Sequence, residues 1–200
     1  YGADATRWYL LHTSPAWSPT KFDEDGLIEI TSKFFGTLRN VYNFFVLYSN
    51  QDNIDIGKVF VDYRKRPELD RWILSKYNRL IDDVTEEMNR YDHMKTVRKI
   101  QNFVVEDLSN WYIRRARRRF WAEELTEDKK SVYATTYEIL VGVAQLMAPF
   151  APFISDEIYT DLTGAESVHL SFFPKSDADL IDEKVEERMD LVRDMVALGR

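Results

Sequence analysis

An all-α fold, built as an antiparallel helix bundle, is what this sequence predicts, and three observations predict it. Apolar residues recur at intervals of three and four through nearly the whole chain. No segment longer than a few residues shows the strict apolar/polar alternation of a half-buried strand. The breaks between most periodic stretches are short and marked by Pro, Gly, Asp or Asn, so successive helices fold back on one another. The material suffices for one buried core: 200 residues, 44% hydrophobic and 30% charged, with 7 Gly and 6 Pro, a composition that excludes a disordered or low-complexity chain.

The elements follow in order. Leu27, Ile30, Phe34, Leu38, Val41, Phe45 and Tyr48 step by three or four behind the turn-like Asp23-Glu24-Asp25-Gly26, which marks the first bundle helix. Residues Asn50 to Arg66 lose the period and read as a long connection. Pro67 suits a first helical position, and Leu69, Ile73, Tyr77, Leu80, Val84 and Met88 follow as one stripe. A third helix is expected from about Asp92 to Glu124, and a fourth from about Glu127 to Ala148 with Val132, Thr136, Ile139, Val143 and Met147 inward. Pro149 stops it. Pro152 opens the next, with Phe153, Ile154, Ile158 and Leu162 as its apolar residues and Gly164 as a left-handed cap. Ser167 to Phe173 is the one candidate extended piece, and a last helix from Asp177 onward places Ile181, Val185, Met189, Val192 and Val196 on one side.

Composition narrows the chemistry. The absence of cysteine removes disulfides, cysteine-ligated metals and thiol nucleophiles, and His12, His93 and His169 stand apart without metal-ligand spacing, so no metal is expected. The most apolar stretch, Ile139 to Ile154, is too short to span a bilayer and carries Gln145, Pro149 and Pro152, so no membrane partner is expected. No Gly-rich phosphate loop occurs. Asp82-Asp83 and Glu86-Glu87 read as a solvated helix face, Ser155-Asp156-Glu157 as a helical first turn, and His169 as a packing residue.

The net charge is −7, yet it is unevenly spread. Lys95 to Trp121 carries eight bases against two acids, +6, whereas Asp177 to Asp194 carries three bases against eight acids, −5. The densest signal is Arg114, Arg115, Arg117, Arg118 and Arg119, interrupted only by Ala116 and flanked by Trp111, Tyr112, Phe120 and Trp121. At 100° per residue, Trp111, Arg114, Arg118 and Trp121 share one side, with Ile113, Ala116 and Phe120 opposite. Guanidinium groups pair phosphate oxygens while aromatic and guanidinium planes stack on unpaired bases, so the cluster points to single-stranded RNA. The same wheel run backward puts Val97, Ile100 and Val104 on the Trp111 side. Either the helix changes its packing face near Ser109-Asn110, or some of the arginines pair buried acids.

Two motifs carry a family resemblance. Tyr1 to Leu11, with Gly2-Ala3-Asp4-Ala5-Thr6-Arg7-Trp8, resembles the helix after the KMSKS loop of class I aminoacyl-tRNA synthetases. Leu146-Met147-Ala148-Pro149-Phe150-Ala151-Pro152-Phe153 and the residues on to Tyr159 resemble the LxxPFxPFxxEEI signature of their anticodon-binding domain. Within that class, Phe34 to Phe45, Leu69 to Lys76 and Glu166 to Leu170 are similar to the isoleucyl-tRNA synthetase family, and Asn110 to Trp121 looks like the form found in eukaryotic cytosol and some bacteria. Thr6 and Phe172-Phe173 depart from the usual pattern.

The resemblance implies a non-catalytic piece of a larger ATP-dependent, cytoplasmic enzyme, since no HIGH or KMSKS motif lies among these residues. Residues 1–20 would be a connector from the catalytic body, 21–163 the anticodon-binding bundle, and 164–200 the truncated start of a C-terminal junction segment. The implied partners are the anticodon stem-loop of isoleucine tRNA and the remaining domains of the parent, with no cofactor bound by this piece itself. Trp111, Arg114, Arg115, Arg117, Arg118, Arg119 and Trp121 are the expected RNA contacts. The rival reading is a helical interaction module whose arginine patch docks an acidic protein surface.

Overall fold

Four of the helix starts are set by short polar side chains that accept from the first free backbone N–H groups. In the computed structural model, which describes residues 1–15 and 17–199, Asp23 accepts from the Gly26 amide, Asp92 from Lys95, Thr126 from Lys129 and Asp182 from Val185. The helices are α1 (Ala3–Thr13), α2 (Glu24–Glu29), α3 (Gly36–Gln51), α4 (Glu68–Asn89), α5 (His93–Asn102), α6 (Arg114–Phe120), α7 (Glu127–Met147), α8 (Pro152–Thr163) and α9 (Glu183–Leu198). π-Helical segments Ile30–Phe35 and Phe103–Ile113 join α2 to α3 and α5 to α6 without a break. No strand occurs among the described residues. The chain is all-α, as its periodicity requires.

Short turns reverse the chain between α4 and α5 and between α7 and α8, and both helix pairs pack along their length. Pro152 opens α8, and Gly164, at φ 69°, closes it in the left-handed conformation. The long connection after α3 is pinned by a buried arginine. Arg66 donates to the Val61 carbonyl at 2.9 Å and to Thr135 at 3.0 Å, and pairs with Glu138 of α7 at 2.6 Å. Where α4 crosses α7, a Cβ on Gly142 would come within 1.6 Å of the Tyr77 hydroxyl, so only glycine permits that approach.

The core runs through Trp8, Phe34, Phe45, Trp72, Tyr112, Phe120 and Tyr133, all buried. The expected connector contributes to it: Trp8 of α1 stacks on Phe34 at 4.5 Å and donates to Gln101 at 3.0 Å. Arg7 donates to the Pro149 and Phe150 carbonyls, both at 3.0 Å, while Asp4 accepts from the Ile154 amide at 2.7 Å. Helix α1 thereby caps the α7–α8 corner from both sides.

Four expectations need correction. Residues 167–173 form a 3-10 turn (Val168–Leu170) instead of an extended piece, because Asp156 accepts from the Val168 amide and the Ser167 hydroxyl. His169 in that turn is exposed. The last helix starts at Glu183, after a 3-10 turn at Ala178–Leu180, and its apolar side is only partly covered: Val185 is buried, but Val192 and Val196 are open to solvent. Phe153 is also exposed, since α8 presents Ile154, Ser155 and Ile158 to the core. No helix among the described residues is long and apolar enough to cross a membrane.

Candidate nucleic-acid interface

The cationic cluster sits at the end of the rod α5–π–α6. Its core-facing residues are Ile100, Val104, Leu108, Tyr112, Ala116 and Phe120, every fourth position, each at most 1% exposed. On an α-helix a step of four advances about 40°, so five such steps would carry the stripe about 200° around the axis. The π segment prevents that drift: its i→i+5 turns hold more residues per turn, so the side chains fall behind the α-helical phase. Both alternatives left open by the helical wheel are realised. The rod changes phase between Phe103 and Ile113, and one arginine is committed to a buried acid.

That arginine is Arg119. It grips Asp70 of α4 through two nitrogens at 2.5 and 2.7 Å, and reaches Asp128 at 2.9 Å. Asp70 is fully buried and also accepts from Tyr112 at 3.0 Å and Ser131 at 2.6 Å. Burial, and then the Asp70 charge, push the Tyr112 phenol well above its ordinary range. Arg119 is therefore a structural tie between α4, α6 and α7, which corrects its expected place on the contact surface. Asp70 was missed by sequence reasoning, because an acid in a helical first turn carries no sign of a partner 49 residues away.

Trp111 also faces inward, being 8% exposed, and its indole donates to the Met189 sulfur at 3.1 Å. The side that the wheel assigned to Trp111 with Arg114 and Arg118 is thus split. Arg114, Arg117 and Arg118 are exposed and make no ion pair among the described residues. Ile113, Ala116 and Phe120 are buried opposite them, as the wheel predicts. Trp121 ends the ridge, 54% exposed. Arg115 is exposed too, but it lies back across Trp111 with Cζ 3.0 Å from the ring centroid, and donates to the Trp111 carbonyl at 3.2 Å.

Helix α9 runs beside the ridge and brings a residue type its acidic sequence concealed. Arg193 pairs with Asp107 at 2.5 Å and lies 5.3 Å from the Trp111 ring centroid, on which Arg115 also stacks. Burial pushes the Asp107 carboxyl up even though Arg193 opposes it. Between α9 and the ridge lies a groove of about 460 Å³ lined by Glu106, Asn110, Arg114, Arg115, Arg193 and Asp194, among others. The arrangement offers an outward cationic edge for phosphates and a polar recess beside it.

Elsewhere, Asp82, Asp83 and Glu86 are solvated as expected, whereas Glu87 is buried and pairs with Lys99 at 3.2 Å. Ser155 is buried beneath the α8 first turn. No group of three His, Cys, Asp or Glu among the described residues could hold a metal ion.

Comparison with known proteins identifies the family of the chain. Residues 70–200 match the family model described as the anticodon-binding domain of tRNA ligase. The chain belongs to that family. Curated relatives of this anticodon-binding domain are isoleucine–tRNA ligases: one from Porphyromonas gingivalis is 47% identical over 199 residues, and one from Clostridium novyi 42% identical over 205. These alignments take in 99% and 100% of the chain but 18% and 20% of the relatives, so the domain spans about a fifth of their length. A solved structure, the ternary complex of Agrobacterium radiobacter K84 agnB2 LeuRS-tRNA-LeuAMS, shares the fold at TM-score 0.64 and 21% identity, over 91% of this chain and 21% of that one.

Proposed function

We propose that the chain is the tRNA-positioning arm of an isoleucine–tRNA ligase, binding the anticodon stem-loop of isoleucine tRNA through Arg114, Arg117 and Arg118, with Trp121 at the end of the ridge. One observation carries the reading: three guanidinium groups stand outward on a single helix without an ion-pair partner among the described residues, in a chain whose net charge is −7. Arginines that neither fill a core nor pair an acid on an otherwise acidic molecule are suited to an external polyanion, and guanidinium is shaped for phosphate. The names of the curated relatives supply the amino acid. In this reading the arm has no chemistry and no cofactor of its own. Residues 1–20 join it to a catalytic body that uses ATP, 164–200 lead to further parts of the parent, and the whole acts in the cytoplasm.

The test is a salt titration of tRNA binding to the 200-residue chain. Each phosphate contact contributes about 0.7 to 0.9 to the slope of log affinity against log salt. The double variant Arg114→Ala, Arg118→Ala is expected to melt like the parent and lose about 1.4 to 1.8 of that slope. Unchanged affinity and slope in the folded variant would refute the ridge.

A further inference from the structure

Resting on the RNA-binding reading above, we infer that Lys129 is a positioning residue for that surface: its buried ammonium holds the Ala122 carbonyl and so fixes where Trp121 presents its indole to an unpaired base. Residues 121–128 are all exposed, and 121–126 lie between α6 and α7 without helical structure. Such a segment keeps a side chain in one place only where its backbone is tied down. Lys129 supplies the tie. Only 2% exposed, its Nζ donates to the Ala122 carbonyl at 2.5 Å and pairs with Asp52, at the end of α3, at 2.6 Å. The Tyr133 hydroxyl donates to the same carboxylate, and the Tyr133 ring meets Phe120 edge-on at 5.0 Å. Trp121, 54% exposed, therefore stands between two anchored neighbours, Phe120 in the core and Ala122 on the ammonium.

Stability alone is a poor reason for a lysine at this place. Taking an ammonium out of water is costly, and apolar residues often replace a buried ion pair without loss of stability. What an apolar side chain cannot do at position 129 is donate to a carbonyl seven residues back in the chain. The ammonium therefore specifies the path of the segment. The far end is held as well, by Arg119 donating to the Asp128 carbonyl at 2.8 Å. A stacking ring that is fixed before its ligand arrives loses less freedom on binding, and the difference appears as affinity. Enclosed by its partners, Lys129 does not itself touch RNA.

A double-mutant cycle on the 200-residue chain tests this, with an RNA hairpin carrying an adenosine loop and a blunt duplex of equal phosphate count as probes. Trp121→Ala is expected to weaken hairpin binding about fivefold or more, the loss of one stacked base. Lys129→Met is expected to weaken it by a similar factor, and to add less than about twofold once Trp121 is alanine. Duplex binding and salt slope should not move with Lys129→Met, whereas loss of a phosphate contact would lower the slope by about 0.7 to 0.9. Lys129→Met combined with Asp52→Asn removes both charges, keeps an acceptor for the Tyr133 hydroxyl, and is expected to melt near the parent and to bind as Lys129→Met does. A folded Lys129 variant that binds the hairpin like the parent, or whose loss adds to that of Trp121→Ala, overturns the positioning role. So does failure of both Lys129 variants to fold, which would make the tie a requirement of the fold itself. Trp121→Ala binding like the parent overturns it too, and the arginine ridge then still stands if the salt slope persists. Failure of every probe to bind in a salt-dependent way, or competition by an acidic peptide alone, overturns the RNA reading beneath it as well.

Discussion

Asp70 shows how much one side chain decides. It receives two bonds from Arg119 and one each from Tyr112 and Ser131, all within the core. Replacing it with alanine leaves a largely buried guanidinium without its main countercharge and strands two hydroxyls, a loss expected at about 3 to 5 kcal/mol in urea denaturation. A loss below about 1 kcal/mol would show that Arg119 swings out to water. Replacing the pair with apolar residues, Asp70→Leu with Arg119→Met, should recover part of the stability, because the buried pair also costs desolvation. The five arginines look alike in sequence, yet they divide by neighbour. Arg114, Arg117 and Arg118 meet solvent, Arg115 meets an indole, and Arg119 meets a carboxylate from another helix.

At the scale of elements, the rod α5–π–α6 explains why Trp111 and Arg118, which the wheel puts on one side, part company, Trp111 inward and Arg118 outward. A wheel assumes one constant angle per residue, and here residues 103–113 run at a different pitch. Without that segment, the phase set by Val97, Ile100 and Val104 would turn Trp111 and Arg118 together into the core. The two outer α-helices could be read from periodicity, and a change of packing face near Ser109-Asn110 stood as one of two alternatives, but the different pitch over residues 103–113 shows only in the folded chain. Packing between α4 and α7 is equally exacting. Gly142→Ala pushes a methyl into the ring of Tyr77, itself buried, and is expected to cost about 1 to 3 kcal/mol by thermal or chemical melting. An unchanged midpoint would mean that the two helices can separate freely there.

For the whole molecule, buried phenols set an alkaline limit. Burial, with help from Asp161, raises the Tyr42 hydroxyl to about 12, and burial raises Tyr77, Tyr112 and Tyr133 as well. In the unfolded chain these groups release protons near pH 10, at about the ordinary tyrosine value. The unfolded state thus binds fewer protons above that point, and stability is complete below about pH 10 and falls as pH rises beyond it. Urea midpoints measured from about pH 8 to 11.5 should drop in that window, and less steeply in Tyr112→Phe. A flat profile would show that these hydroxyls ionise freely in the folded state.

What the sequence determined by itself was local in origin: the all-α class, most helix starts and stops, the inward stripes of α3, α4 and α7, and the presence of a concentrated cationic run. Spacing, capping and proline act over a few residues, so they can be read in a line. Tertiary structure alone decided which arginines meet water, that Trp111 lies beneath Arg115, that Asp70 holds Arg119, and that Arg193 and Asp194 of an acidic helix line a groove beside the ridge. Those outcomes depend on contacts between residues as far apart as 49 and 86 positions and on a helical pitch set by packing. Burial is a property of the assembled surface, and no single segment carries it.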